Sequence, residues 1–224
     1  RKMQEPSLES QFRSLVTASS PGLDLECCAT LLPKLVYPDS DPSRTVARLD
    51  RMAVDLDPQI APDDHPIKSI RTLNHYLFEK MRFTGQLETL GDPDASYLNR
   101  VLENRRGLPI AISAIYILLG RRLDLPIVGV GMPAHFIVKY KADDELEIFV
   151  DPFNRGQILT SGECADILSS FGLEFEKRML AESSDREIIT RMMVNLVATY
   201  DYLGDEDRSQ SLRSLIRILQ GEED

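Results

Sequence analysis

An almost unbroken run of apolar residues at positions 108–119 limits the folds open to this chain more than any other feature. Pro109 stands in the first turn of this run, where proline favours the start of a helix, and the apolar pattern continues to about Leu123. The run is far shorter than the roughly 20 residues that cross a bilayer. We therefore predict a buried helix, with Gly107 closing the preceding helix in a left-handed conformation.

The chain before this helix is typical of several helices separated by prolines. Apolar residues recur at helical spacing in four segments, which start at Phe12, Leu25, Val46 and Ile67. Pro33 and Pro58 stop two of these segments, because proline cannot continue the hydrogen bonding of a helix. We interpret the apolar faces as core rather than as a cofactor site.

The pattern changes to short strands after the apolar helix. Residues 127–130, 135–140 and 146–150 are rich in strand-forming side chains and are separated by turn-forming residues. Because no helix intervenes, these strands are predicted to form a small antiparallel sheet packed on the apolar helix. The predicted fold class is α+β.

Helical patterns return after Asp151 and Pro152. Thr160 and Ser184 each precede a glutamate by three residues, which is typical of the capping box that starts a helix. The last two helices predict a hairpin with an apolar inner face. We divide the chain into an α+β domain with a helical N-terminal part over residues 1–182 and a tetratricopeptide-like hairpin over residues 183–224, although one copy does not establish a repeat.

The pair His135 and Asp151 is the constellation that points to chemistry. They stand 16 positions apart, at the start of one predicted strand and the end of the next. In an antiparallel pair these two places are neighbours. An aspartate beside a histidine can hold the imidazole in one tautomer, as in a catalytic triad. The alternative is structural, since such a pair also ties two strands together.

Five ordered motifs carry a resemblance to a known family. They are residues 73–78 (LNHYLF), 97–102 (YLNRVL), 106–110 (RGLPI), 133–136 (PAHF) and 151–153 (DPF). Together they resemble the bacterial SirB family, a group of transglutaminase-like proteins with a tetratricopeptide-like helical tail. The resemblance runs from about Leu8 to Leu219 and implies a transglutaminase-like, papain-like core.

The resemblance also implies where a nucleophile belongs. The transglutaminase-like superfamily places a cysteine at the start of the core helix and follows it with a histidine and an aspartate on the sheet. His135 and Asp151 match the second and third places, and the first falls on or beside Pro109, which has no nucleophilic atom. Ser113, one helical turn along, is a weak substitute. The expected groove is lined by Pro109, Ser113, His135, Phe136, Asp151 and Phe153.

The three cysteines are weak substitutes for the lost nucleophile, because the order of the motifs does not support them. Cys164 stands near a helix start but after the sheet, and Cys28 lies on an apolar helix face. An odd count that includes the adjacent Cys27 and Cys28 also argues against a disulfide framework and fits a reducing compartment.

Several other classes of function are disfavoured. The formal net charge of −10 argues against nucleic acid as a partner. The three histidines are too far apart for a metal site, and no cofactor is expected. Asp63, Asp64 and His65 lie between two prolines and are interpreted as a loop and helix cap, with a metal site as the weaker alternative. No signal peptide or membrane span is predicted, so a cytoplasmic location is expected.

Three hypotheses follow, and the sequence decides neither the partner nor the oligomeric state. The first is a non-catalytic transglutaminase-like protein that binds a protein or peptide and has a regulatory role. The second is a cysteine- or serine-type peptidase or amide hydrolase with an unorthodox nucleophile that acts with His135 and Asp151. The third makes the core a scaffold that presents the C-terminal hairpin.

Overall fold

The computed structural model describes residues 6–18, 23–86, 91–142 and 147–221. Nine α-helices lie within these ranges: α1 (Leu8–Ala18), α2 (Leu25–Leu31), α3 (Pro42–Leu56), α4 (Pro66–Asn74), α5 (Leu98–Asn104), α6 (Pro109–Arg122), α7 (Ser161–Ser170), α8 (Asp185–Leu203) and α9 (Glu206–Gln220). The strands are β1 (Thr84–Gly85), β2 (Arg106–Gly107), β3 (Ile127–Val130), β4 (Ile137–Lys141), β5 (Glu147–Asp151), β6 (Gln157–Leu159) and β7 (Glu182–Ser183).

The predicted apolar helix is α6, and it lies at the centre of the molecule. Every residue from Ile110 to Gly120 is buried. Strands β3 and β4 pack against it, as do α3, α5 and α8. Each fully buried large aliphatic side chain contributes about 1.5–3 kcal/mol, so α6 supplies a large part of the hydrophobic stabilisation. The α+β class is confirmed.

The sheet is antiparallel and larger than predicted, with five strands in the order β6-β5-β4-β3-β7. The sequence did not predict β6 and β7, which are only three and two residues long. The second predicted strand starts later than expected, because its first residue paired with β3 is Ile137. His135 therefore lies before the strand, in a turn. Leu146, placed in the third strand, lies outside the described residues.

The end of α5 differs from the prediction that Gly107 would close it. Arg105 takes the left-handed conformation there, with φ of 59°, and Gly107 lies in β2, paired in parallel with β1. Glycine at position 107 serves close packing instead, because a Cβ atom there would lie 2.8 Å from Cγ1 of Val101.

The C-terminal helices α8 and α9 form the expected hairpin. Capping boxes start α7 and α8, at Thr160 and Ser184, as predicted. Apolar residues of α8 and α9 belong to the same hydrophobic core as those of α1 to α6. The tetratricopeptide-like character of the hairpin and the domain boundary after residue 182 remain predictions. Among the described helices, none combines the length and hydropathy that a membrane crossing requires.

Candidate functional site

His135 is presented by the turn between β3 and β4. Its backbone N–H donates to the carbonyl of Met132 at 3.3 Å, and Ala134 has φ of 62°, a left-handed conformation that costs an L-residue about 1–2 kcal/mol. The guanidinium of Arg191 on α8 donates to the carbonyls of Met132 at 2.7 Å and His135 at 3.0 Å. Helix α8 therefore holds the turn in place.

Asp151 ends β5 and begins a tight loop that fixes its carboxylate. Its Oδ1 accepts from the backbone N–H groups of Phe153 at 3.1 Å and Asn154 at 3.3 Å. The side-chain amide of Asn154 donates to Oδ2 at 2.6 Å, and the N–H of Gly156 closes the loop on the carbonyl of Asp151 at 2.8 Å. The loop by itself therefore supplies three hydrogen bonds to the carboxylate.

The far end of this loop is anchored to two helices. Asn74 at the end of α4 donates to the carbonyl of Gly156 at 2.7 Å, and the hydroxyl of Tyr116 on α6 donates to Oδ1 of Asn74 at 3.0 Å. Gly156 has φ of 74°, and a Cβ atom there would lie 2.0 Å from Oδ1 of Asn74. Only glycine fits this position.

The imidazole of His135 and the carboxylate of Asp151 meet, as their places in the sequence predicted. Nε2 lies 2.8 Å from Oδ2, and the two side chains are 9% and 1% exposed. Burial by itself raises the pKa of Asp151, but the hydrogen bond and charge of His135, together with the bonds from Asn154, outweigh burial and hold that pKa below its ordinary value. Asp151 is therefore ionised, and Nε2 of His135 carries the proton that it donates.

An open groove of ≈ 260 Å³ lies beside His135. Its walls come from the β3–β4 turn, from the start of α6 and from α8: Ala134, His135 and Phe136, then Leu108, Pro109 and Ile110, then Arg191, Asn195, Ala198 and Thr199. Of the predicted groove residues, Pro109, His135 and Phe136 line it. Asp151 lies behind the imidazole, and Phe153 packs edge-on against that ring with centroids 6.0 Å apart.

The structure places Ser113 outside this groove. Its side chain is fully buried, and its hydroxyl donates to the carbonyl of Phe136 at 3.4 Å. This bond joins α6 to the turn before β4. The serine thus has a structural partner and no hydrogen bond to His135.

The cysteines also lie away from the groove, and their surroundings disfavour the thiolate. Cys28 and Cys164 are buried, and burial with nearby negative charge raises the pKa of Cys28 to about 12 and that of Cys164 to about 11. Cys27 is exposed, yet partial burial and the bond to Asp24 raise its pKa to about 11. None of them has the lowered pKa of a reactive thiol.

The described residues contain no group of three or more side chains suited to hold a metal ion. His65 is the cap of α4, with Nδ1 accepting from the N–H of Ile67 at 3.3 Å, and Asp64 accepts from Lys68 at 2.6 Å. The interpretation of this segment as a loop and cap agrees with these bonds.

Sequence reasoning missed the wall that α8 contributes. Arg191, Asn195 and Thr199 are spaced by four residues, so they lie along one stripe of the helix. That spacing was visible in the sequence, but nothing local indicated that the stripe faces a turn more than 50 residues earlier.

The geometry supports proton acceptance but leaves acyl transfer incomplete. With Nε2 protonated and bonded to Asp151, Nδ1 of a neutral ring is the free acceptor, and no described residue forms a hydrogen bond to it. A nucleophile at the start of α6 would complete a protease-like site. Pro109 stands there and offers neither a nucleophilic atom nor a backbone N–H.

Comparison with known proteins finds a matching family model and relatives of similar sequence. Residues 43–194 match the family model of the transglutaminase-like superfamily. A UPF0162 protein of Xylella fastidiosa (strain 9a5c) is 32% identical over 225 residues, which cover 97% of this chain and 79% of the relative. F-box only protein 21 of Mus musculus is 27% identical over 153 residues, covering 65% of this chain and 24% of the mouse protein. No solved structure matches the chain.

Proposed function

Because this chain belongs to the transglutaminase-like superfamily and to the UPF0162 proteins, we propose that it is a non-catalytic member of that superfamily, with a regulatory role. In this proposal the groove beside His135 binds a peptide or a protein segment without cleaving it. The observation that carries the proposal is Pro109, which occupies the head of α6 on the same groove as His135.

Proline at this position removes two requirements of acyl transfer at once. The first is the nucleophile itself, which attacks the carbonyl carbon. The second is the backbone N–H at the nucleophile position, a common donor to the oxyanion that forms in the transition state. Loss of one oxyanion donor alone typically lowers kcat by about 10²–10³-fold. A groove that lacks both is better suited to binding than to catalysis.

The lining of the groove supports a peptide as the bound partner. Pro109, Ile110 and Phe136 supply apolar surface, and His135 and Asn195 supply polar groups. Ligand sites typically combine mostly apolar walls with a few polar groups that fix orientation. A peptide presents the matching mixture of apolar side chains and backbone amides.

A selection of random displayed peptides on the whole chain tests the proposal. We expect the enriched peptides to bind the wild type, and His135→Ala to weaken that binding at least tenfold in calorimetry. His75→Ala is the matched control, because the side chain of His75 is exposed and, in the described part of the chain, is bonded to Glu79 alone. Equal binding by His135→Ala and the wild type would remove the groove from the proposal.

The second candidate is a hydrolase with an unorthodox nucleophile, and the ordered His135–Asp151 pair favours it. It requires that a serine- or thiol-directed activity probe labels one site and that His135→Ala abolishes the labelling. We expect no labelling, because Ser113 is buried and bonded to Phe136, and the pKa of every cysteine is raised. Labelling that depends on His135 would replace the first proposal with this one.

Two finer assignments also belong to the proposal. The five motifs at residues 73–78, 97–102, 106–110, 133–136 and 151–153 support the SirB family as the specific group. The free thiols of Cys27, Cys28 and Cys164 fit a reducing compartment and support a cytoplasmic location.

A further inference from the structure

Arg191 has no counter-ion among the described residues. Its guanidinium donates to two backbone carbonyls, those of Met132 and His135, but no carboxylate in the described part of the chain lies within ion-pair distance of it. Burial is the single cause that lowers its pKa, without a contribution from a neighbouring charge. The side chain still remains protonated, because an arginine does not lose its proton in proteins.

Two arginines at the end of α6 differ from Arg191 in this respect. Arg121 forms a two-pronged ion pair with Asp185 at 2.9 and 2.5 Å, and Arg122 reaches both Asp50 and Glu26. Those pairs balance charge that is partly removed from water. Arg191 is also partly buried, but among the described residues it has no such carboxylate partner.

The guanidinium keeps binding capacity beyond its two carbonyl bonds. It carries five N–H donors, and the two bonds to Met132 and His135 leave three without an acceptor among the described residues. Arg191 lines the groove beside His135. Asp151 does not neutralise it, since that carboxylate is 1% exposed and bonded to His135 and Asn154.

Asn195 adds a second free polar group one helical turn further along α8. It lines the same groove, and its side-chain amide has no hydrogen-bond partner among the described residues. Such an amide offers both a donor and an acceptor, the pair of groups that a peptide backbone presents. Thr199, the next in the stripe, already donates its hydroxyl to the carbonyl of Asn195 at 3.0 Å.

The volume of the groove limits the length of what it holds. At ≈ 260 Å³ it lies just below the range of about 300–1,000 Å³ that is typical of small-molecule pockets. This space suits the end of a chain better than a continuous segment. A free C-terminus also carries a carboxylate, which would supply the counter-ion that Arg191 lacks among the described residues.

We propose that the groove binds the C-terminal carboxylate of a peptide, with Arg191 pairing the carboxylate and Asn195 bonding the adjacent backbone amide. This inference rests on the proposed function, because it names the ligand of the same groove. A planar guanidinium binds a carboxylate through two parallel hydrogen bonds, which a lysine cannot reproduce. Arg191→Lys should therefore keep the positive charge but lose affinity for the carboxylate.

Three pools of N-acetylated tripeptides test this assignment with the whole chain. The first pool has free C-termini, the second has the same sequences with amidated C-termini, and the third is amidated and carries one Asp or Glu. Bound peptides are separated by gel filtration, identified by mass spectrometry, and measured by calorimetry. We expect retention from the first pool and at least tenfold weaker binding of the matched amides.

The variants locate the contact. Arg191→Gln and Arg191→Lys should each weaken the selected carboxylates at least tenfold, whereas Arg186→Gln, an exposed charge change on the same helix, should leave binding unchanged. Thermal melting checks that both Arg191 variants fold. The comparison of free and amidated peptides uses the wild type, so it stands even if a variant is unstable.

The outcomes separate this inference from the proposed function. If amidated and free peptides bind equally well and His135→Ala weakens both, the groove binds peptides and the carboxylate assignment is wrong. If the third pool binds as tightly as the first, a side-chain carboxylate is the ligand and the chain-end assignment is wrong. If no pool binds, both the inference and peptide binding at this groove are contradicted.

Discussion

Two regions of the molecule each hold a histidine–carboxylate pair. The two pairs have similar N···O distances but differ in burial and in their separation along the sequence. At the turn between β3 and β4, Nε2 of His135 lies 2.8 Å from the carboxylate of Asp151, and the two side chains are 9% and 1% exposed. In the π-helix that follows α4 (His75–Lys80), Nδ1 of His75 lies 3.0 Å from the carboxylate of Glu79, and the two side chains are 65% and 63% exposed. The first pair spans 16 positions and two strands, whereas the second spans one helical turn.

The difference shows that the surroundings, rather than the pair itself, set its importance. Glu79 remains in water, where an ion pair contributes about 0–1 kcal/mol. Asp151 has lost its water, so it depends on Asn154, two backbone N–H groups and His135 to satisfy its oxygens. The buried pair therefore fixes the conformation of the loop after β5, whereas the exposed pair contributes little to the stability of its helix.

The largest expected effect tests the loop that supports the buried pair. Gly156→Ala should lower the free energy of unfolding by roughly 3–4 kcal/mol, combining a left-handed alanine with overpacking. The cause is Asn74, whose Oδ1 would lie 2.0 Å from the new Cβ atom. Urea unfolding followed by circular dichroism measures the loss.

Gly172→Ala is the matched control for this change. Gly172 has nearly the same φ, 73°, but no atom lies within 4 Å of its added Cβ. We expect a loss of about 1 kcal/mol, from backbone conformation alone. Equal losses at the two glycines would show that the Asn74 contact does not restrain the loop.

The second prediction compares the two carboxylates directly. Asp151→Ala should cost about 2–3 kcal/mol of unfolding free energy, because it leaves buried donors of His135 and Asn154 without an acceptor. Glu79→Ala should change that free energy by less than about 0.5 kcal/mol. A similar cost for both substitutions would contradict the role given to burial.

The third prediction concerns pH, and its sign follows from the lowered pKa of Asp151. A carboxyl group whose pKa is lower in the folded than in the unfolded chain stabilises the fold above the unfolded pKa, 3.8 for an ordinary aspartate. That stabilisation is lost as the pH falls further, through the folded pKa. The stability advantage of the wild type over Asp151→Asn should therefore shrink as the pH falls below about 4.

Urea unfolding of both proteins from about pH 5 to about pH 2 checks this window. Taking the difference between wild type and variant cancels the titration of the other acidic groups. An advantage of the wild type that grows in acid would reverse the assigned sign.

The sequence predicted those parts of the molecule whose signals are local. Pro109 and the apolar run located α6, glutamates three positions after Thr160 and Ser184 located two helix starts, and the order of two strands brought His135 to Asp151. Each of these depends on neighbours in sequence or on one antiparallel connection.

The parts that it missed depend on tertiary contacts. Arg191 contacts a turn 56 positions earlier in the chain, and no local pattern predicts that approach. Strand β7 consists of Glu182 and Ser183 alone and forms only by pairing with β3. Ser113 was expected in the groove because it shares a helix face with Pro109, but the turn at Phe136 packs onto that serine and buries it.

The smallest expected effect concerns this serine and separates the groove from the packing behind it. Ser113→Ala should lower the free energy of unfolding by less than about 1 kcal/mol, because the bond to Phe136 is long at 3.4 Å and the alanine is a close fit. Binding of any peptide that depends on His135 should not change, since Ser113 does not line the groove. A loss of binding without a loss of stability, measured by calorimetry and urea unfolding on the same preparation, would bring Ser113 into the site. It would also reopen the hydrolase candidate, because the serine would then have to reach the ligand beside the imidazole.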